Sequence, residues 1–145
     1  MIEMLVVMSL VVILAGIGLA QYRNGIVRAQ EAVLREDLFR MKDALDQYYA
    51  DKSHYPPGLS ALVSEGYPPD LDTLVEGVTM ANDASGRKLK FLRRVPLDPI
   101  TSSTDWGLRA YTDEPDSLSW GGKSVFDVYT RSGATALDGT KYRDW

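Results

Sequence analysis

From Met4 to Ala20 the chain reads Met-Leu-Val-Val-Met-Ser-Leu-Val-Val-Ile-Leu-Ala-Gly-Ile-Gly-Leu-Ala, apolar on every face. At about 1.5 Å per residue, a helix over this uncharged stretch and its flanks covers roughly the 30 Å of a bilayer core. Beyond Gln21 the pattern changes. Val27, Leu34, Leu38, Met41, Leu45 and Tyr48 recur at steps of seven, four, three, four and three, which marks one face of an amphipathic helix. The other face is charged and balanced, with six basic and six acidic residues between Gln21 and Lys52. Glu31 with Arg35, and Glu36 with Arg40, place the acid four residues before the base, the favourable order on a helix. The pattern predicts one helix from near residue 2 to about residue 51. Gly16, Gly18 and Gly25 weaken it by roughly 1 kcal/mol each relative to alanine, and two helices jointed near Gly25 are the alternative.

Tyr55-Pro56-Pro57 ends the helix, because proline lacks a donor and forces its predecessor out of the α region. Gly58 to Gly66 reads as a short helix with Leu59, Leu62 and Val63 on one side, and Asp70 to Val75 as a further helical turn. Three later stretches, Leu89 to Leu92, Gly107 to Thr112 and Ser124 to Arg131, read as strands bounded by turn signals. Their proximity in sequence predicts an antiparallel three-stranded meander. The expected fold class is α+β: a long N-terminal helix packed on a small C-terminal domain with short helices and that sheet. Residues 1–22 form the membrane-spanning half of the helix, 23–52 its amphipathic half, and 53–145 the globular domain.

Composition sharpens the division. All 16 Lys and Arg residues fall from Arg23 onward, and Glu3 is the one charge before that point. Ten Leu, Ile and Val residues between Met4 and Ala20, at about −0.3 to −0.6 kcal/mol each, outweigh one acid costing at most about 3.5 kcal/mol, so insertion is favoured. A net charge of −4 and a pI of about 4.9 argue against general binding to nucleic acid. Without cysteine there is no disulfide, thiolate metal site or Cys nucleophile.

A cleaved signal peptide would carry a basic n-region and a cleavage site, neither of which is seen. A plain signal anchor carrying a periplasmic domain shares the span. Arg23 and Arg28 come after the apolar run, so charge bias alone puts the C-terminal domain in the cytoplasm unless a basic leader precedes Met1. Glu3 has two readings: it sits at the interface beside the positive end of the helix dipole, or it awaits a positive partner supplied from outside the segment.

Met1-Ile2-Glu3-Met4-Leu5-Val6-Val7 resembles the start of a mature type IV pilin or pseudopilin, with Met1 at the third mature position. Ala44-Leu45-Asp46-Gln47-Tyr48-Tyr49, Asp51, Tyr55-Pro56 and Gly58-Leu59-Ser60-Ala61-Leu62-Val63 are similar to the end of the long helix and the segment after it in the G-class major pseudopilin of type II secretion. Val95-Pro96-Leu97-Asp98-Pro99 resembles the turn before the pseudopilin sheet. Phe126-Asp127-Val128-Tyr129, Asp138-Gly139 and Trp145 complete the match.

The resemblance implies a structural, non-enzymatic subunit of a helical homo-oligomeric filament. It would stand in the inner membrane as a single-pass protein with a periplasmic C-terminal domain, then assemble into a periplasmic pseudopilus that helps export folded proteins. The implied partners are minor pseudopilins, an inner-membrane assembly platform, an assembly ATPase, a prepilin peptidase that cleaves and methylates, and membrane lipid. The implied precursor has a basic leader and two more mature residues before Met1. Glu3 matches the glutamate that pairs with a neighbouring subunit's N-terminal amine. A pilin for adhesion or DNA uptake shares everything up to Lys52, although such pilins often carry a C-terminal cysteine pair.

Two departures stand out. Ala20 occupies a position where many members have proline. The calcium loop of the G-class, which uses two acids, is represented between Ser132 and Thr140 by Asp138 alone. Asp127, Asp138 and Asp144 are the candidate calcium ligands, against roughly six to eight oxygens that the ion takes. His54 is expected to favour a helix terminus rather than catalysis. Arg87, Lys88, Lys90, Arg93 and Arg94 read either as an edge strand charged against unwanted pairing or as a contact for DNA phosphates. Trp106, Trp120 and Trp145 are expected as core anchors.

Overall fold

The computed structural model describes residues 1–51, 64–80 and 84–145. His54, Tyr55-Pro56-Pro57 and residues 58–63 of the expected short helix lie outside them.

Helix α1 runs unbroken from Ile2 to Asp51, 50 residues or about 75 Å at 1.5 Å per residue. The joint near Gly25 does not form. Nothing lies within 4 Å of where a side chain would begin at Gly16, Gly18 or Gly25, so no packing forces a bend there. The two halves of α1 differ in what surrounds them. Every residue from Met1 to Ile26 is exposed, whereas Leu34, Leu38, Met41, Ala44, Leu45 and Tyr48 are buried. The apolar stripe read from the spacing is therefore the face that docks the rest of the chain, starting one turn and more after Val27.

That face meets Leu74, Val78, Trp106, Val125, Val128, Ala136 and Tyr142, all in one apolar core. Helix α2, Leu71–Glu76, is capped by Asp70, whose Oδ1 accepts from Thr73 N–H at 2.7 Å. It ends at Gly77, where φ is 81° and the N–H returns to Thr73 O at 3.0 Å.

The expected three-stranded meander is replaced by two separate antiparallel pairs. Strand β1 (Val78–Thr79) pairs with β2 (Lys88–Leu89), and β3 (Gly107–Arg109) pairs with β4 (Asp127–Tyr129). The stretch from Leu89 to Leu92 does not join β3, because the Phe91 and Leu92 N–H groups both donate to Leu74 O at the end of α2, at 3.0 and 2.9 Å. Pro96 and Pro99 come next, and neither can donate to a ladder. Strand β3 stops short of Thr112 because the Ala110 N–H is taken by Asp113 Oδ2 at 2.7 Å. Strand β4 stops at Tyr129, after which the Thr130 side chain turns into the core to bond Asp98.

The tryptophans divide. Trp106 is a core anchor, buried, with Nε1 donating to Pro96 O at 2.9 Å. Trp145 is half-buried and meets Tyr142 edge-on at 5.0 Å. Trp120 is a correction: it is 40% exposed, held at the surface by Nε1 donating to Ser124 O at 2.8 Å.

Gly107 is required by its partner across the ladder. A methyl added there would stand 2.2 to 2.5 Å from the Tyr129 ring, whose other contact is the Arg109 guanidinium at 4.1 Å. Gly107→Ala is expected to lower stability by about 1–3 kcal/mol through overpacking, measurable by denaturant melts that track tryptophan fluorescence.

Candidate assembly surface and the acids around the C-terminal domain

The first half of α1 is long and apolar enough to cross a membrane. Met4, Leu5, Leu10, Val11, Val12, Ile13, Leu14, Ile17 and Leu19 are each more than half exposed. Side chains of this kind, bare around a full helix circumference, suit lipid or packing against other helices. Glu3 stands in the first turn, exposed, on a surface patch shared with Met4, Val7 and Met8. It makes no ion pair among the described residues.

The three acids marked for calcium occupy different electrostatic settings. Asp127 is already bracketed by cations, with Oδ1 3.1 Å from Lys42 Nζ and Oδ2 3.3 Å from Arg109 Nη1. Asp138 closes its own loop. Its Oδ1 accepts from Thr140 Oγ1 at 2.6 Å and Thr140 N–H at 2.9 Å, and its Oδ2 lies 3.4 Å from Arg35 Nη2. Those Thr140 bonds, with a smaller contribution from Arg35, hold the Asp138 carboxyl below the usual range. Asp144 sits 3.8 Å from Arg143 Nε. Among the described residues no group of three His, Cys, Asp or Glu side chains converges as metal ligands. Asp127 thus faces two cations and Asp138 is a single carboxylate facing Arg35, against the roughly six to eight oxygens that calcium takes.

A row of polar side chains on one flank of the helix fastens the C-terminal segment to α1. Glu31 Oε1 accepts from the Leu137 N–H at 2.8 Å and from the Tyr142 hydroxyl at 3.0 Å. The Arg35 guanidinium lies 4.1 Å over the Trp145 ring, and Lys42 Nζ donates to Trp145 O at 3.4 Å. The expected Glu31 to Arg35 pair is thus replaced by contacts more than one hundred residues away in sequence, while Glu36 and Arg40 do pair, at 2.9 Å. No local signal marks Glu31 for this role. In a chain without cysteine, these contacts tie the last residues to the helix.

Burial, and secondarily the Glu31 carboxylate, raise the Tyr142 pKa; burial likewise raises Tyr48 and Tyr67. A proton held more tightly in the folded chain stabilises it fully below the ordinary tyrosine value near 10, and that contribution is lost as pH rises through the raised folded value. Stability is therefore expected to hold from neutral to about pH 10 and to fall above it. Tyr142→Phe is expected to make the alkaline fall shallower, as read from melting temperature against pH.

No protein-family model, curated protein or solved structure matches the chain.

Proposed function

We propose that the chain is a structural subunit of a type II secretion pseudopilus, a filament of the type IV pilin kind, and that it polymerises through α1. The observation that carries this reading is the continuity of one 50-residue helix whose first half is bare and apolar and whose second half docks a small domain on one face. Such a helix can stand in lipid and then exchange lipid for neighbouring helices at little cost, because the two surroundings are equally apolar. The same surface serves storage in the membrane and packing in the filament.

Glu3 supplies what the apolar surface lacks, which is register. Apolar helices slide past one another with small energy differences. A carboxylate that finds a positive partner at one offset, by resemblance the N-terminal amine of a neighbour, penalises every other offset by leaving both charges unpaired in a dry setting. The subunit would stand single-pass in the inner membrane, its C-terminal domain periplasmic, and meet minor pseudopilins, an assembly platform and a prepilin peptidase. The test is recovery of sheared filaments and membrane fractionation for wild type and Glu3→Ala, expressed at equal levels with the assembly machinery present.

A further inference from the structure

Two patches face solvent on opposite flanks of the amphipathic half of α1. The first is aromatic and acidic. The Tyr67 ring stacks on Tyr49 at 4.7 Å, and meets Phe126 edge-on at 5.1 Å; Phe126 in turn meets Tyr111 edge-on at 5.3 Å. Tyr67 itself is buried, but Tyr49, Tyr111 and Phe126 are 38%, 61% and 41% exposed. Asp46 is exposed, makes no ion pair among the described residues, and stands near enough to Tyr67 to add to the effect of burial in raising its pKa. Asp113, two residues beyond Tyr111, accepts from the Ala110 and Gly121 N–H groups, which lower its pKa and keep it ionised.

The second patch is basic. Lys88, Lys90 and Arg93 are exposed and without an ion pair among the described residues, while Arg94 lies near Asp37 of α1. Asp37 and Asp46 are nine positions apart on α1, about two and a half turns at 3.6 residues per turn, which puts them on opposite sides of the helix. Arg93 and Arg94 of this strip line a shallow groove on the Asp37 and Arg40 side, together with Phe91 and Leu97. The aromatic patch lies on the Tyr49 side.

We propose that the basic strip of one copy docks on the aromatic and acidic patch of a second copy, setting Lys90 and Arg93 against Asp46 and the exposed rings. The complementarity is chemical. Ring faces attract a cation placed within about 6 Å, more so once water is excluded, and arginine adds stacking on the same rings. Asp46 supplies a counter-charge for Lys90 and Arg93, which make no ion pair among the described residues. Because donor and acceptor patches lie on different flanks of one chain, the contact is heterologous. Such a contact repeats from copy to copy, and builds an open helical polymer where the rotation between copies does not close into a ring. This inference deepens the filament reading, but its contact is readable without it.

The test uses the full-length chain in membranes with the assembly machinery, mixing isotopically light and heavy copies. A water-soluble carbodiimide joins a lysine ammonium directly to a carboxylate it touches, and peptide mass spectrometry shows which copies were joined. The expected result is a mixed-label cross-link between Lys88 or Lys90 and Asp46, lost in Asp46→Asn. The paired variant Lys90→Glu with Arg93→Glu is expected to lower filament yield about tenfold, since like charges then face Asp46, and adding Asp46→Arg is expected to restore it. Filaments without the mixed-label cross-link overturn this contact and leave the filament reading standing. The cross-link without filaments supports the contact and overturns the filament reading. Absence of both overturns both.

Discussion

Glu3→Ala is expected to abolish recovery of sheared filaments while leaving the protein in the membrane fraction with its C-terminal domain folded. Folding and insertion are physically separate from assembly at this position. Glu3 lies more than 30 residues along α1 from the first buried position, Leu34, so nothing in the folded core senses it. Removing a carboxylate from an apolar segment makes insertion easier, by at most about 3.5 kcal/mol. Assembly moves the other way. If a neighbour's positive group pairs with Glu3 in the filament, alanine leaves that group uncompensated in a low-dielectric contact. The loss is about 3–5 kcal/mol per contact, more than about a hundredfold in its equilibrium constant, repeated at every subunit. A signal-anchored periplasmic domain predicts the easier insertion without the lost assembly. Equal filament yields for wild type and Glu3→Ala would refute the role given to Glu3 and weaken the pseudopilus reading with it.

Asp98→Ala is expected to produce the largest loss of folding stability of any single polar substitution in the C-terminal domain. Asp98 is 1% exposed and collects donors from three directions. Its Oδ1 accepts from the Ile100 N–H at 2.8 Å and, more weakly, the Thr101 N–H at 3.4 Å, while Oδ2 accepts from the buried Thr130 hydroxyl. Its own N–H donates to Ser103 O at 2.9 Å, and its carbonyl accepts from Ser102 N–H at 2.8 Å. The side chain thus ties the Pro96 to Ser103 turn to the end of β4. Alanine strands at least the Thr130 hydroxyl and the Ile100 N–H; at about 1–3 kcal/mol for each buried donor left unpaired, the loss is about 2–6 kcal/mol. Asp98→Asn retains an acceptor for Ile100 and an amide that the Thr130 oxygen can accept from, so it is expected to lose less. Denaturant midpoints for the two variants decide the matter. A midpoint for Asp98→Ala within a few tenths of a molar of wild type would show that the turn is held by other means.

Helix α1 was legible from the residues alone, because its two signals are local. An apolar run without period and a 3.6-residue stripe with paired charges each describe neighbours within a turn or two. The docking face and the bare apolar half come directly from that pattern. So does the chemistry that makes Glu3 conspicuous, since a lone charge in such a run is visible whatever the fold. The Pro96 to Pro99 turn was also marked, although the reason Asp98 belongs in it was not.

Tertiary structure decided the rest, and in each case the deciding partner is far away in sequence. Leu89 to Leu92 has the composition of a strand, yet only Leu89 pairs, in β2, while the Phe91 and Leu92 N–H groups go to Leu74 O in the last turn of α2. A three-residue strand has too few ladder bonds to resist such a competitor. Trp120 reads like Trp106, but it is 40% exposed with its indole N–H on Ser124 O, whereas Trp106 is buried with its indole N–H on Pro96 O. Glu31 and Arg35 satisfy the rule for a helical pair and part company because Leu137, Tyr142 and Asp138 offer them partners that no local pattern announces. Asp127 is set against Lys42 and Arg109 in the same way. Hydrophobic period determines which residues turn inward along one element, whereas hydrogen bonds and ion pairs between elements depend on which backbone ends and charged groups the packed core brings within about 3 Å of one another.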